Sequence, residues 1–329
     1  MDWGVVGHEW AVQLLQQAVE EGELSHAYLF TGPEGVGKGT LARALASALF
    51  CEGYPRPCGA CRACRLVAAG HHPDLLWVGP ATEKGHISIE QIRELQRILS
   101  LTPNLARHRL VVLDRFEQAT ASAANAFLKT LEEPPDYAVL ILLAPEADAL
   151  LPTIVSRCQI VALRPLPARR VEEALIVRWQ VDPDRARLLA RLCGGRLGWA
   201  VRAATDPAIL QRREQRLQEL LALTAAPLTD RFRYAAELAR DPEETREALD
   251  LWLGWWRDVL LVSSGVDEEG AGEFALTNLD RRAQLEQFAA RFSPAQAAAR
   301  IRAIRTALDR LQRNANPLLT LEVLLGFDL

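Results

Sequence analysis

Four of the six cysteines fall within one short segment, at Cys51, Cys58, Cys61 and Cys64. The two C-x2-C steps that share Cys61 place three thiols close together, and Cys51 can fold back as the fourth. Zn²⁺ prefers a tetrahedral set of this kind, and four thiolates leave no open position for catalysis. We therefore expect one structural zinc ion, while an iron–sulfur cluster and four reduced thiols without metal stay open as alternatives.

A glycine-rich segment, GPEGVGK at residues 32–38, follows a predicted strand and precedes a predicted helix. It fits G-x-x-x-x-G-K, the phosphate-binding loop, with Gly32, Gly37 and Lys38 in register. Glycines let successive backbone N–H groups converge on a phosphate, the helix N-terminus adds a favourable dipole, and the lysine reaches the terminal phosphates. Together with Gly35, these residues are the predicted nucleotide contacts.

Three positions around this loop lack the groups that hydrolysis requires. Gly39 stands where Ser or Thr would bind Mg²⁺, and Thr40 would point about 100° away around the helix. Asp114 keeps the acid that assists Mg²⁺, but Arg115 occupies the place of the catalytic base. Ala144 ends a strand where ATPases of this plan place a polar γ-phosphate sensor. The sequence predicts a degenerate site that has lost hydrolysis, and whether ATP and Mg²⁺ still bind stays open.

Short apolar runs alternate with helical patterns in the first half of the chain. Strands that are apolar throughout and alternate with helices imply a parallel sheet covered on both faces. Beyond Pro165 helical periodicity dominates, so we expect the second half to be all-α, with a break near Asp206. The predicted strands are 27–30, 75–78, 110–113, 139–143 and 160–163, and the predicted helices between them include 40–50 and 88–99.

Length and composition exclude several classes of protein. The chain has 329 residues, which favours two or three domains. Its 49% apolar and 24% charged residues are ordinary for a globular protein, and a net charge of −4 is no polycation for nucleic acid. No apolar run approaches the roughly 20 residues of a membrane-spanning helix, and no signal-peptide pattern is visible. We therefore expect a cytoplasmic protein without a membrane partner.

The sequence resembles the AAA+ clamp-loader ATPases of bacterial replication over nearly its whole length. The segments that carry the resemblance are VGHE at 6–9, HAYLF at 26–30, the loop at 32–38, the four cysteines, NAFLKTLEEPP at 125–135, LPTIVSRC at 151–158 and Asn316-Pro317. The resemblance implies an α/β AAA+ P-loop domain with a parallel sheet at 1–165, with a zinc module inserted at about 51–64. A small helical lid at 166–206 and an all-α collar domain at 207–329 would follow.

Among clamp-loader subunits, the degenerate loop most resembles that of the delta-prime type of DNA polymerase III, because the gamma/tau type keeps a complete ATPase site. The resemblance implies a five-subunit ring with gamma/tau-type and delta-type subunits, which loads the sliding clamp onto primer-template DNA at the replisome. It further implies that Arg157, within Ser-Arg-Cys at 156–158, is an arginine finger acting in trans on a neighbour's ATP. A permanent, planar guanidinium suits the charge that develops on a γ-phosphate.

Two other functions stay open at this point. A catalytically active, gamma/tau-like ATPase would need Thr40 to replace the missing hydroxyl and another residue to replace the base. A zinc-dependent DNA-binding regulator would use Arg56, Arg62 and Arg65 of the cysteine segment. Only Tyr54 supplies an aromatic ring there, which favours a structural module over a DNA-binding one.

The predicted lid also departs from the family's active ATPases, which place a nucleotide-reading arginine in a glycine-rich segment. In this sequence the segment is GGRLGWA at 194–200. Trp199 falls where that arginine would stand, and Arg196 and Arg202 are imperfect substitutes for it.

Overall fold

The computed structural model describes residues 3–82, 85–265, 276–313 and 315–328. The chain divides into two compact units: an α/β unit of residues 1–170 and 195–199, and a helical unit of residues 171–194 and 200–329. No helix among the described residues is long and apolar enough to cross a membrane. The finer division of the chain into three parts at 165 and 206 stays a prediction.

Five parallel strands form the sheet of the α/β unit, in the order β2-β3-β4-β1-β5. The strands are β1 (Ala27–Thr31), β2 (Leu75–Val78), β3 (Arg109–Leu113), β4 (Ala138–Ala144) and β5 (Gln159–Ala162). Each of them begins and ends within one residue of the predicted strand. Every residue of β1, β3 and β4 is buried, which explains their continuous apolar runs.

Helices cover both faces of this sheet. The helices of the unit are α1 (Glu9–Glu21), α2 (Lys38–Phe50), α3 (Arg62–Ala68), α4 (Ile89–Leu99), α5 (Ala121–Glu132) and α6 (Pro152–Val155). Because successive strand side chains point to opposite faces, Tyr28 and Phe30 of β1 pack with α1, α2 and α3. Ala27 and Leu29 pack with α4 and α5 on the other face. The predicted α/β fold with a covered parallel sheet is confirmed.

A buried ion pair joins Asp74, which directly precedes β2, to Arg109, the first residue of β3. The Asp74 carboxylate lies 3.4 Å from Arg109, and both side chains are almost fully buried. Asp74 also accepts hydrogen bonds from the backbone N–H groups of residues 104–106. Burial opposes ionisation of this carboxyl, but the three N–H donors and Arg109 outweigh it and hold the pKa of Asp74 below its ordinary value. The pair therefore fixes the start of β3, the strand that Asp114 directly follows.

The helical unit has no strand among its described residues, as predicted. Its core contains three fully buried indoles, from Trp252, Trp255 and Trp256. The helices that follow β5 are α7 (Ala168–Trp179), α8 (Pro183–Leu192), α9 (Leu197–Thr205), α10 (Pro207–Leu223), α11 (Leu228–Leu238), α12 (Pro242–Ser263), α13 (Arg282–Ala289), α14 (Pro294–Gln312) and α15 (Pro317–Val323).

Candidate functional site

The phosphate loop, residues 32–38, connects β1 to α2 in the predicted strand–loop–helix arrangement. Gly32, Gly35 and Gly37 have φ angles of 140°, 77° and 119°, values in the left-handed region that L side chains rarely adopt. Packing imposes a second restriction, because a Cβ on Gly32 would lie 2.4 Å from the carbonyl oxygen of Leu163. The loop therefore requires its glycines for backbone reasons, whether or not a phosphate binds.

Lys38 is held by carbonyl groups of its own loop. Its Nζ donates to the carbonyl oxygens of Gly32, at 2.5 Å, and Pro33, at 3.2 Å. Partial burial lowers the pKa of this amine, although the negative charges of Glu117, Asp114 and Glu34 oppose the shift. The ammonium is thus anchored before any nucleotide arrives, and a phosphate would have to compete with these two carbonyl contacts.

The tip of the loop is packed against two other segments of the α/β unit. His8 Nε2 donates to the carbonyl of Val36 at 3.1 Å, and the Gly198 N–H donates to the carbonyl of Gly35 at 2.7 Å. A Cβ on Gly35 would lie 3.0 Å from the backbone nitrogen of Trp199, so the two backbones are in direct contact. The structure thus places Trp199 at the loop tip.

Gly39 faces an aromatic ring that the sequence did not point to. A Cβ at this position would lie 3.5 Å from the indole of Trp77 on β2, and the Arg43 guanidinium stacks over the same ring at 4.6 Å. The place of a Mg²⁺-binding hydroxyl is therefore next to an apolar ring. Thr40, the alternative hydroxyl, lies on the exposed side of α2.

Asp114 follows β3 directly, and its N–H donates to Val78 at the end of β2. Arg115 then adopts a left-handed φ of 51°, which turns the chain into a single 3₁₀ turn, Phe116–Gln118. This turn contains Glu117, a carboxyl that the sequence interpretation missed because it lies beyond the usual base position. One of its oxygens is buried without a hydrogen-bond partner, and burial raises the pKa of Glu117 against the attraction of Lys38.

The four clustered cysteines come together as the spacing predicts. Their sulfur atoms all lie within 4.8 Å of one another, on a segment between Cys51 at the end of α2 and Cys64 in the first turn of α3. Backbone N–H groups donate to three of these sulfurs at 3.3–3.4 Å, including the N–H of Cys58 to the Cys51 sulfur. N–H donors of this kind stabilise thiolates, so the set fits a metal ion that prefers sulfur ligands.

The two histidines near this cluster are not part of it. His72 is buried, stacks on Phe50 with ring centroids 4.3 Å apart, and accepts a hydrogen bond from the Asp74 N–H through Nδ1. His71 is exposed. Four thiols therefore make up the ligand set among the described residues of this segment.

Arg157 lies between α6 and β5, in a segment that we call the arginine corner (residues 153–158). Its Nη1 donates to the carbonyl of Thr153 at 2.8 Å, and its Nη2 lies 2.8 Å from a carboxylate oxygen of Glu132, the last residue of α5. The Arg157 side chain remains 36% exposed, so the guanidinium is accessible from solvent. Next to it, burial raises the pKa of the Cys158 thiol to about 11, which suits a packing role.

The arginine corner and the phosphate loop lie at opposite ends of two neighbouring parallel strands, β5 and β1. In the β1–β5 pairing, Tyr28 is opposite Gln159 and Thr31 is opposite Ala162. Arg157 precedes the beginning of β5, whereas the loop follows the end of β1. About 10 Å of strand therefore separates the two strand ends, at roughly 3.3 Å per residue. Arg157 and the phosphate loop of its own chain therefore face away from each other along the strand direction.

Comparisons with known proteins agree with this architecture. A sequence profile described as DNA polymerase III, delta subunit, matches residues 7–167. The chain is 29% identical to DNA polymerase III subunit gamma/tau of Mycobacterium tuberculosis, over 97% of this chain and 59% of that relative. It is 34% identical to subunit delta' of Pseudomonas aeruginosa, over 80% of each chain. It is 33% identical to subunit delta' of Bacillus subtilis, over 93% of this chain and 91% of that relative. This chain therefore belongs to the DNA polymerase III delta' subunit family.

Proposed function

We propose that this chain is a non-hydrolysing clamp-loader subunit that donates Arg157 in trans to an ATP molecule held by a neighbouring subunit. The observation that carries the proposal is the position of Arg157, which is partly exposed at the strand end opposite to that of its own phosphate loop. A guanidinium in that position can stabilise negative charge only on a nucleotide that another chain presents to it. The neighbours are gamma/tau-type and delta-type subunits, and the assembled ring loads the sliding clamp onto primer-template DNA.

Four features in and around the phosphate loop support the absence of hydrolysis. Gly39 offers no hydroxyl to Mg²⁺ and faces Trp77, while Lys38 is engaged by loop carbonyls. Arg115 cannot act as a base near neutral pH. Ala144, at the end of β4, is buried and has no polar group in its side chain. The residues Gly32, Gly35, Gly37, Lys38 and Asp114 form a degenerate nucleotide site on this proposal.

The metal in the cysteine cluster is a structural Zn²⁺ on this proposal. Four sulfurs within 4.8 Å of one another match a closed tetrahedral S₄ site, which leaves no position for substrate. Cys51, Cys58, Cys61 and Cys64 would hold the ion, and the ion would cross-link the end of α2 to α3. The helices at 166–206 and 207–329 serve as lid and collar, respectively.

Reconstitution of the complex with Arg157→Ala tests the trans finger. Arginine fingers in other phosphoryl-transfer systems contribute roughly 10³–10⁵ in rate, so we expect the DNA-stimulated ATPase and clamp loading to fall by roughly tenfold or more. Ring assembly, followed by sizing, should be unchanged, because one exposed arginine contributes little to a large interface. Arg164→Ala removes another exposed arginine of the same unit and serves as the control. Wild-type rates for Arg157→Ala would refute the finger.

One observation favours a second candidate, an intrinsically active ATPase. Glu117 places a partly buried carboxyl with a raised pKa near Lys38 and Asp114, and it could replace the missing base. A steady-state ATPase assay on the isolated chain separates the two functions. Hydrolysis that is abolished by Glu117→Gln would establish the second candidate, whereas no hydrolysis above background supports the first.

A further inference from the structure

We infer that Glu132 is a positioning residue for Arg157: it holds the guanidinium in the orientation from which it meets the neighbour's nucleotide. This inference rests on the proposed trans action of Arg157. Nη2 of Arg157 lies 2.8 Å from the Glu132 carboxylate, while Nη1 donates to the Thr153 carbonyl, also at 2.8 Å. The two terminal nitrogens are therefore anchored on two different elements, the end of α5 and the start of α6.

Two anchors restrict a side chain that would otherwise sample many rotamers. A free arginine loses considerable rotamer entropy when it is fixed on a ligand, and a side chain that is already restrained loses less. A guanidinium has five N–H donors in a rigid fork, so bonds to Glu132 and Thr153 leave donors for a phosphate. The Arg157 and Glu132 side chains are 36% and 50% exposed, so the pair is open to an approaching subunit.

A purely structural role explains Glu132 poorly. The C-terminus of a helix carries a partial negative charge, which disfavours carboxylates in its last turn. Glu132 ends α5 and Glu133 follows it, so two acids lie where the helix dipole disfavours them. The interaction of Glu132 with Arg157 is an exposed ion pair, which contributes little to folding stability. The pair makes physical sense as a device that orients the arginine.

The matched control for this pair is next to it in the sequence. Glu133 carries the same charge and is also exposed, but among the residues that the structure describes Arg157 forms its ion pair with Glu132 and not with Glu133. Glu133→Gln therefore removes the same charge from the same helix end without releasing the guanidinium. Glu132→Gln removes the charge that faces Arg157 and keeps the size of the side chain.

The experiment measures the DNA-stimulated ATPase of the reconstituted complex that carries each variant. We expect Glu132→Gln to lower kcat about two- to fivefold with KM for ATP unchanged, because the neighbour binds the nucleotide and an exposed ion pair is weak. Glu132→Asp should restore part of the rate, and Glu133→Gln should leave it unchanged. In an Arg157→Ala background, Glu132→Gln should cause no further loss, since it acts through that arginine.

The possible failures are distinguishable. Wild-type rates for Arg157→Ala overturn the proposed finger and this inference with it. A slow Arg157→Ala complex with normal or faster rates for Glu132→Gln overturns the positioning role alone; faster rates would make Glu132 a restraint that competes with the nucleotide. Equal losses from Glu132→Gln in both backgrounds also overturn it, because the effect would then not pass through Arg157. Thermal unfolding and sizing of each variant confirm that folding and assembly are intact.

Discussion

The phosphate loop and the arginine corner belong to the same α/β unit. Packing explains why the residues of the loop are present, but it does not explain the presence of Arg157. The loop glycines are required by left-handed φ angles and by contacts as close as that of Gly32 with Leu163. Lys38 bonds to carbonyls of the loop itself. A protein with this fold needs those residues even if no nucleotide ever binds, so the motif alone is weak support for catalysis.

In the arginine corner, by contrast, the packing of the fold does not require the key residue, Arg157. Arg157 is partly exposed, and its partners are a carbonyl at the start of α6 and the exposed carboxylate of Glu132. Such contacts contribute little to folding stability. The residue therefore requires an explanation outside the fold, and the proposed contact with a nucleotide of a neighbouring chain would supply one. Motif residues that the fold already requires are weaker evidence for function than a single exposed side chain that is held in one orientation.

Metal removal should produce the largest effect. It tests whether the α2 segment that follows the phosphate loop depends on the cysteine cluster for its stability. Structural zinc contributes on the order of 10 kcal/mol in peptides, and the cluster holds the end of α2, the helix that begins at Lys38. We expect elemental analysis to find one zinc per chain, and Cys64→Ser to lose it and to lower the thermal midpoint. Cys193→Ser, a buried cysteine outside the cluster, should keep the zinc. Protein purified without chelators that contains iron or no metal would contradict this prediction.

Arg157→Lys should have an intermediate effect. It tests whether the arginine corner acts through positive charge alone or through the shape of the guanidinium. Lysine keeps the positive charge but lacks the planar fork that can bond to Glu132 and a phosphate together. We expect the complex with Arg157→Lys to hydrolyse ATP faster than the complex with Arg157→Ala, but several-fold more slowly than the wild-type complex. A rate equal to that of the wild type would show that charge alone suffices and that orientation by Glu132 is irrelevant.

Lys38→Ala should have the smallest effect on activity. It tests whether the phosphate loop is only structural. If the loop is only structural, the ATPase rate of the complex should stay within about twofold of the wild type. The lost bonds to Gly32 and Pro33 should lower the free energy of unfolding by about 1 kcal/mol, measured by denaturant titration. Lys129→Ala, which removes an exposed lysine of α5, is the control. A large fall in ATPase would mean that this chain binds a nucleotide that matters.

Local patterns in the sequence were sufficient to predict the elements of the fold and the groups that define its motifs. Apolar runs bounded by polar turns gave all five strands to within one residue, because burial on both faces leaves a direct mark on composition. The cysteine spacing predicted a cluster that the structure brings together, because short C-x2-C steps limit how far apart the thiols can be. Glycine positions likewise follow from local backbone geometry.

Contacts between residues that are distant in the sequence were decided only by the tertiary structure. The indole of Trp77 beside Gly39, the carboxyl of Glu117 near Lys38 and the pairing of Glu132 with Arg157 leave no local pattern, because each joins residues from different elements. Strand order and register place the phosphate loop and Arg157 at opposite ends of neighbouring strands. Sequence determines which groups are present, but parallel crossovers through helices decide which of them meet, and here they separate Arg157 from the phosphate loop of its own chain.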